Sequence, residues 1–114
     1  MVFKSINPFS QEVIAVHEVL TDAQLNRKLQ LSERAFKEWK NTSFQERADK
    51  MQNLARILRE NKEKLGLLIT NEMGKIVSES IAEVEKSAGN CDFYAENAEQ
   101  MLKEEYYDTP FKSL

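Results

Sequence analysis

Two residues occur only once and are the first to test for chemistry: Cys91, the single cysteine, as a nucleophile, and His17, the single histidine, as a metal ligand. A cysteine reacts as its thiolate, so it needs a neighbouring cation, histidine or helix N-terminus to lower its pKa. Cys91 has no histidine near it in sequence and lies midway along an apolar helical stripe. A small buried core residue is its expected role. One histidine is too few for a metal site, which gathers several ligands. His17 sits in a β-branched run, where a solvent-facing strand position is expected. Gly66, Gly74 and Gly89 are not spaced as Gly-x-Gly-x-x-Gly, and none follows a strand to open a helix, so no phosphate loop is expected. Gly74 is instead expected to end a helix in the left-handed conformation. Glu83 and Lys86 share a helix face at i, i+3, where a solvated pair contributes roughly a few tenths of a kcal/mol.

These side chains must be positioned by a chain whose pattern is mostly helical with a small N-terminal β-hairpin. Residues 2–19 read as the hairpin, with Asn7-Pro8-Phe9-Ser10-Gln11 as its turn. A lone two-stranded hairpin is marginal in water, so it must lean on a helix or pair with other strands. Helices are expected over 21–41, 43–60, 62–73 and 77–106. Thr21-Asp22-Ala23-Gln24 and Ser43-Phe44-Gln45-Glu46 are capping boxes. Leu25, Leu29, Phe36 and Trp39 form the first stripe, for which core packing is the ordinary role and a partner groove the alternative. Met51, Leu54, Ala55 and Leu58 form the second stripe. Asn61 is placed to cap the third helix, which carries Leu65, Leu68, Ile69 and Met73. In the last helix Val77, Ile81, Val84, Ala88, Cys91, Ala95, Ala98 and Leu102 alternate steps of four and three. That repeat suits a coiled coil, but its middle residues are small and favour close packing inside a larger protein. Gly89 in mid-helix costs about 1 kcal/mol relative to Ala. The tail from Tyr106 to Leu114 reads as the start of an extended segment.

The 114 residues allow one domain, with 31% charged and 41% apolar residues, a mixture that is globular rather than disordered. The net charge of −3 without a Lys/Arg cluster argues against nucleic acid as a partner. No run approaches the ~20 apolar residues of a membrane span. No signal peptide is expected, and the lone cysteine suits a reducing, cytoplasmic compartment.

Five local patterns, in order along nearly the whole chain, resemble the beginning of the aldehyde dehydrogenases. Ile6-Asn7-Pro8-Phe9-Ser10-Gln11-Glu12-Val13-Ile14 is similar to the family's opening hairpin. Ala35-Phe36-Lys37-Glu38-Trp39, Glu46-Arg47-Ala48 and Asn71-Glu72-Met73-Gly74-Lys75 follow. Last come Glu83-Val84-Glu85-Lys86 and Phe93-Tyr94-Ala95-Glu96-Asn97-Ala98, which look like the succinate-semialdehyde branch. Where the family turn usually has Thr-Gly, this chain has Ser10-Gln11; loss of the glycine removes an easy positive-φ position, so a different turn type is expected. Ile76 stands where the family often has proline.

The resemblance implies the N-terminal helical part of the α/β aldehyde dehydrogenase fold, laid against a cofactor-binding sheet. The family's amide-supplying Pro-Trp-Asn segment, glycine-rich cofactor loop, general-base glutamate and cysteine nucleophile have no counterpart in residues 1–114. The expected function is therefore that of an N-terminal fragment of an NAD(P)-dependent dehydrogenase, inactive alone because the reacting groups must lie within a few ångströms of each other. No catalytic, cofactor or metal residue is expected here, and NAD or NADP would be bound by the complete enzyme. Lys86 and its neighbour Asn90 are candidates to border the substrate entrance, because the matching family helix passes close to it. The expected partner is the remainder of the subunit, with self-association through exposed apolar helix faces. The alternative is a self-standing helical module that dimerises along the four-three stripe; a third possibility is docking onto full-length subunits.

Overall fold

The structure is a computed structural model and describes residues 2–108. Strands β1 (Val2–Ile6) and β2 (Val13–Glu18) pair antiparallel, and four helices follow: α1 (Asp22–Trp39), α2 (Phe44–Glu60), α3 (Lys62–Met73) and α4 (Val77–Met101). The hairpin pairs Ser5 with Ala15 and Ile6 with Val13, so the register shifts between Ser5 and Ile6. The turn corrects one expectation. Gln11 itself takes the left-handed conformation, at φ 62°, so the positive-φ position survives without glycine. Such a residue costs about 1–2 kcal/mol. Local bonds offset this: Asn7 Oδ1 accepts from the Phe9 and Ser10 amides at 2.9 and 3.1 Å, and Gln11 Nε2 donates to the Pro8 carbonyl at 2.7 Å.

Both capping boxes form. The Gln24 amide donates to Thr21 Oγ1 at 3.3 Å, while the Thr21 amide donates to Gln24 Oε1 at 2.9 Å. Ser43 and Glu46 repeat the exchange at the start of α2, at 3.2 and 2.8 Å. Asn61 does not do what its position suggested. Its Nδ2 donates backward to the Ile57 carbonyl at 2.9 Å, so it closes the end of α2 and gives no side-chain cap to α3. Gly74 ends α3 at φ 72°. Helix α4 stops at Met101 rather than 106. Its last turn carries no basic residue and includes Glu99, an unfavourable charge at the negative pole of the helix dipole. The tail from Thr109 onward lies outside the described residues.

The core is the surface on which α4 meets α2 and α3. Ala55 and Ala88 are fully buried, Val84 and Cys91 nearly so, and Met51 and Leu58 pack against them. Ser80, also buried, accepts a hydrogen bond from Thr70 Oγ1 at 3.0 Å, so its hydroxyl is not orphaned. These side chains are small, and that is why the helices approach so closely. The middle of the four-three stripe is therefore spent inside the chain, and a coiled-coil seam built on it has no free face.

Helix α1 departs furthest from expectation. None of its residues is buried, and it makes no substantial packing contact with another element. Leu25, Leu29, Phe36 and Trp39 are all exposed, so the first stripe is not core among the described residues. A folded monomer of this mass exposes about 6,400 Å², whereas this chain exposes 10,033 Å². Its radius of gyration is 20.6 Å, against about 13 Å for a compact domain of this length. The hairpin and α1 contribute to the excess, with apolar side chains uncovered on both.

Ion pairs fasten α2 and the start of α3 to α4. Arg59 reaches Glu85 at 2.8 Å and Asp92 at 2.7 Å, and Lys62 adds a second contact to Glu85 at 3.4 Å. The Arg59 hydrogen bond holds the Glu85 carboxyl below its ordinary value. A depressed carboxylate contributes stability above its unfolded pKa and loses it as pH falls through the folded value. Acidification below the ordinary carboxylate range should therefore lower the melting temperature. Arg59→Met should melt lower at neutral pH and depend less on pH in that acid window. Thermal melts across a pH series check this, and equal slopes for the two proteins would refute it.

Candidate functional site

The two helix-face candidates, Lys86 and Asn90, are brought together. They lie one turn apart on the exposed side of α4, in a shallow groove of about 480 Å³ that Lys75, Glu79, Glu83 and Ser87 also line. The loop after α3 bends Lys75 over this face, where its Nζ pairs with Glu83. Glu83 therefore takes Lys75 as its direct partner, and Lys86 acts on it only at longer range. Lys75 raises no spacing signal, because eight residues and a chain reversal at Gly74 separate it from Glu83. The pairing pushes the Lys75 ammonium above its ordinary value and the Glu83 carboxyl below its own, in each case chiefly through their mutual hydrogen bond. Lys86 has no ion-pair partner among the described residues. Its ammonium is thus available to an incoming anionic group, with the Asn90 amide one turn away as a neutral hydrogen-bond donor.

The remaining sequence candidates do not converge. Cys91 faces α2 beside Ala55 and Ala88, buried and unpaired. His17 is exposed on β2, on the far side of the chain's element order. No group of three or more metal-ligating side chains occurs among the described residues. Gly66 and Gly89 lie inside helices and Gly74 closes one, so none makes the strand-to-helix turn that cradles a dinucleotide phosphate.

A second concavity went unnoticed in the sequence. An apolar groove of about 650 Å³ runs between the first half of α2 and the last third of α4, bordered by Trp39, Phe44, Met51, Leu54, Tyr94 and Leu102. Arg47 lies at its edge, with its guanidinium 5.0 Å from the Phe44 ring and donating to the Thr42 carbonyl at 2.8 Å. Only the relative register of two helices could reveal it.

A family described as the aldehyde dehydrogenase family matches residues 1–112. The chain belongs to the aldehyde dehydrogenase family. Its relatives include the succinate semialdehyde dehydrogenase [NAD(P)+] of Escherichia coli K12, 39% identical over 101 residues, which are 89% of this chain and 22% of the relative. A probable succinate-semialdehyde dehydrogenase [NADP(+)] of Synechocystis is 32% identical over 96% of this chain and 24% of its own length. Among solved structures, succinic semialdehyde dehydrogenase from Streptococcus pyogenes, in complex with NADP+, superimposes with a TM-score of 0.87 at 28% identity. It covers 95% of this chain, which corresponds to 24% of that protein. The aldehyde dehydrogenase chain thus spans about a quarter of the length of the relatives it matches. Its fold is the family's N-terminal helical part, hairpin included. No helix among the described residues is long and apolar enough to cross a membrane.

Proposed function

We propose that this chain serves as the N-terminal helical part of an NAD(P)-dependent dehydrogenase acting on succinate semialdehyde in a reducing, cytoplasmic compartment, and that it does not catalyse alone. The uncovered surface carries this reading: the chain exposes 10,033 Å² where about 6,400 Å² is usual. The helices hold one another through α4, yet the hairpin and α1 have apolar residues with nothing upon them. The remainder of a dehydrogenase subunit, including its cofactor-binding sheet, would supply that cover and the reacting groups. The succinate-semialdehyde relatives support the choice of substrate. The buried, unpaired state of Cys91 supports a packing role and not a nucleophilic one. Purified chain mixed with succinate semialdehyde and either nicotinamide cofactor should form no reduced cofactor. Turnover proportional to chain concentration would refute the proposal.

In the complete enzyme Lys86 and Asn90 border the substrate entrance, with Lys86 facing the substrate's carboxylate. The free ammonium and its place in the Lys75–Glu83 groove support this role. Lys86→Ala in a dehydrogenase containing this segment should raise KM for succinate semialdehyde about two- to fivefold, the value of one solvent-screened ion pair. KM for a neutral aldehyde of similar length should stay put. Equal effects on both substrates would remove Lys86 from this role. When the segment is alone, its exposed apolar helix faces favour self-association.

A further inference from the structure

We propose that two copies of this chain pair by exchanging α1: the projecting helix of each lies in the apolar groove between α2 and α4 of the other. Two surfaces of the chain are each unfilled. Helix α1 carries Leu25, Leu29, Phe36 and Trp39 at helical spacing, all exposed, on an arm that no other element supports. An isolated helix of this length is marginal in water and gains its stability from packing its apolar face. At the base of that arm opens the groove bordered by Phe44, Met51, Leu54, Tyr94 and Leu102, with Trp39 at its near end. An amphipathic helix laid into an apolar groove is a common mode of recognition. Of the stripe only Trp39 borders its own chain's groove, so Leu25, Leu29 and Phe36 are free to enter that of a second copy.

Charge and area agree with a second copy. At 100° per residue, Lys28 flanks one side of the arm's apolar stripe and Asp22 and Glu33 flank the other. The groove's α4 rim carries Glu96 and Glu99, and its α2 rim carries Lys50. A helix seated in the groove with Lys28 toward α4 places Glu33 toward Lys50, opposite charges on both sides. Standard interfaces cover about 800 Å² on each partner and obligate dimers more. The excess surface of this chain, on the order of 3,600 Å² by mass scaling, is ample for a reciprocal, two-fold contact of that kind. The same surfaces are those the remainder of a dehydrogenase subunit would cover, so the paired and the incorporated states exclude each other.

Sedimentation equilibrium of the purified chain tests the pairing. A single dimeric species is expected. Leu29→Lys should raise its dissociation constant at least about tenfold, because a buried leucine is lost, while Arg34→Ala on the opposite face should leave it unchanged. Since α1 supports no other element, Leu29→Lys should keep the α2–α4 helicity, which circular dichroism reads. A nitroxide at Asn26→Cys, in a Cys91→Ala background and mixed with isotope-labelled chain, should broaden amide signals across Glu96–Leu102 of the other copy. A monomer, a polydisperse aggregate, a dimer indifferent to Leu29→Lys, or broadening confined to other segments would each overturn the exchange. None of those results touches the dehydrogenase reading, which is tested by turnover.

Discussion

Gly66→Val should detach α3 from α4, while Gly89→Ala, the same kind of helix-interior change, should stabilise the chain. The opposite signs follow from what each new methyl group meets. A Cβ at residue 66 would lie 2.6 Å from Ile81 Cγ1 and 3.0 Å from the Ile81 backbone nitrogen. Carbon atoms in contact prefer about 3.5–4.0 Å, so one of the helices must move. Forcing extra carbons into a packed contact costs typically about 1–3 kcal/mol. Replacing a helical glycine returns only about 1 kcal/mol of propensity with alanine, and less with valine, whose β-branch is restricted in a helix. The clash wins at residue 66. At residue 89 nothing lies within 4 Å of the new carbon, so only the gain of up to about 1 kcal/mol remains. Hydrogen exchange separates the effects. In Gly66→Val the α3 amides should lose protection first, because α2 stays tied to α4 by its own core and by Arg59. A melting temperature equal to that of the parent chain would show that α3 and α4 do not touch backbone to backbone as described.

That contact explains which parts of the fold were legible in the sequence. The helices, their caps and the left-handed Gly74 are local: Thr21 with Gln24 and Ser43 with Glu46 announce themselves within four residues. The apolar stripe of α4 was also readable, and its small residues correctly implied a close neighbour. Which surface each stripe faces was not readable. Leu25, Leu29 and Phe36 have core-like spacing, yet they lie exposed, because periodicity reports that a face wants cover and not where the cover is. Gly66 raised no packing signal, since a glycine inside a helical pattern looks like a weak point rather than a contact. Ser80 was overlooked for a related reason: a serine on an apolar stripe needs a hydroxyl partner, and Thr70 supplies it from a different helix. Of the candidate site, Lys86 and Asn90 were suggested by the family resemblance, and helical spacing told only that they share a face. Its third member, Lys75, was not, because it arrives across the reversal at Gly74.

Gly74→Ala should loosen the hairpin from the helices and blur the position of α4's first turns. Two costs add at this residue. Its φ of 72° is a conformation that penalises an L side chain by about 1–2 kcal/mol. A Cβ there would also meet Pro8 Cγ at 3.0 Å, at the tip of the hairpin. Pro8 on Gly74 and the Ser5 Oγ hydrogen bond to Glu72 at 2.9 Å tie the hairpin to the corner where α3 turns into α4. The next residue, Lys75, pairs with Glu83, so the corner also sets where the face bearing Lys86 and Asn90 begins. A double-mutant cycle with Pro8→Ala divides the two costs. Removing the ring should recover the contact part of the loss and leave the backbone part, so the two changes should couple rather than add. Protection of the β2 amides should drop in Gly74→Ala and recover in part in the double variant. Strict additivity would mean that the hairpin is held elsewhere, and that Gly74 is a helix terminator with no second duty.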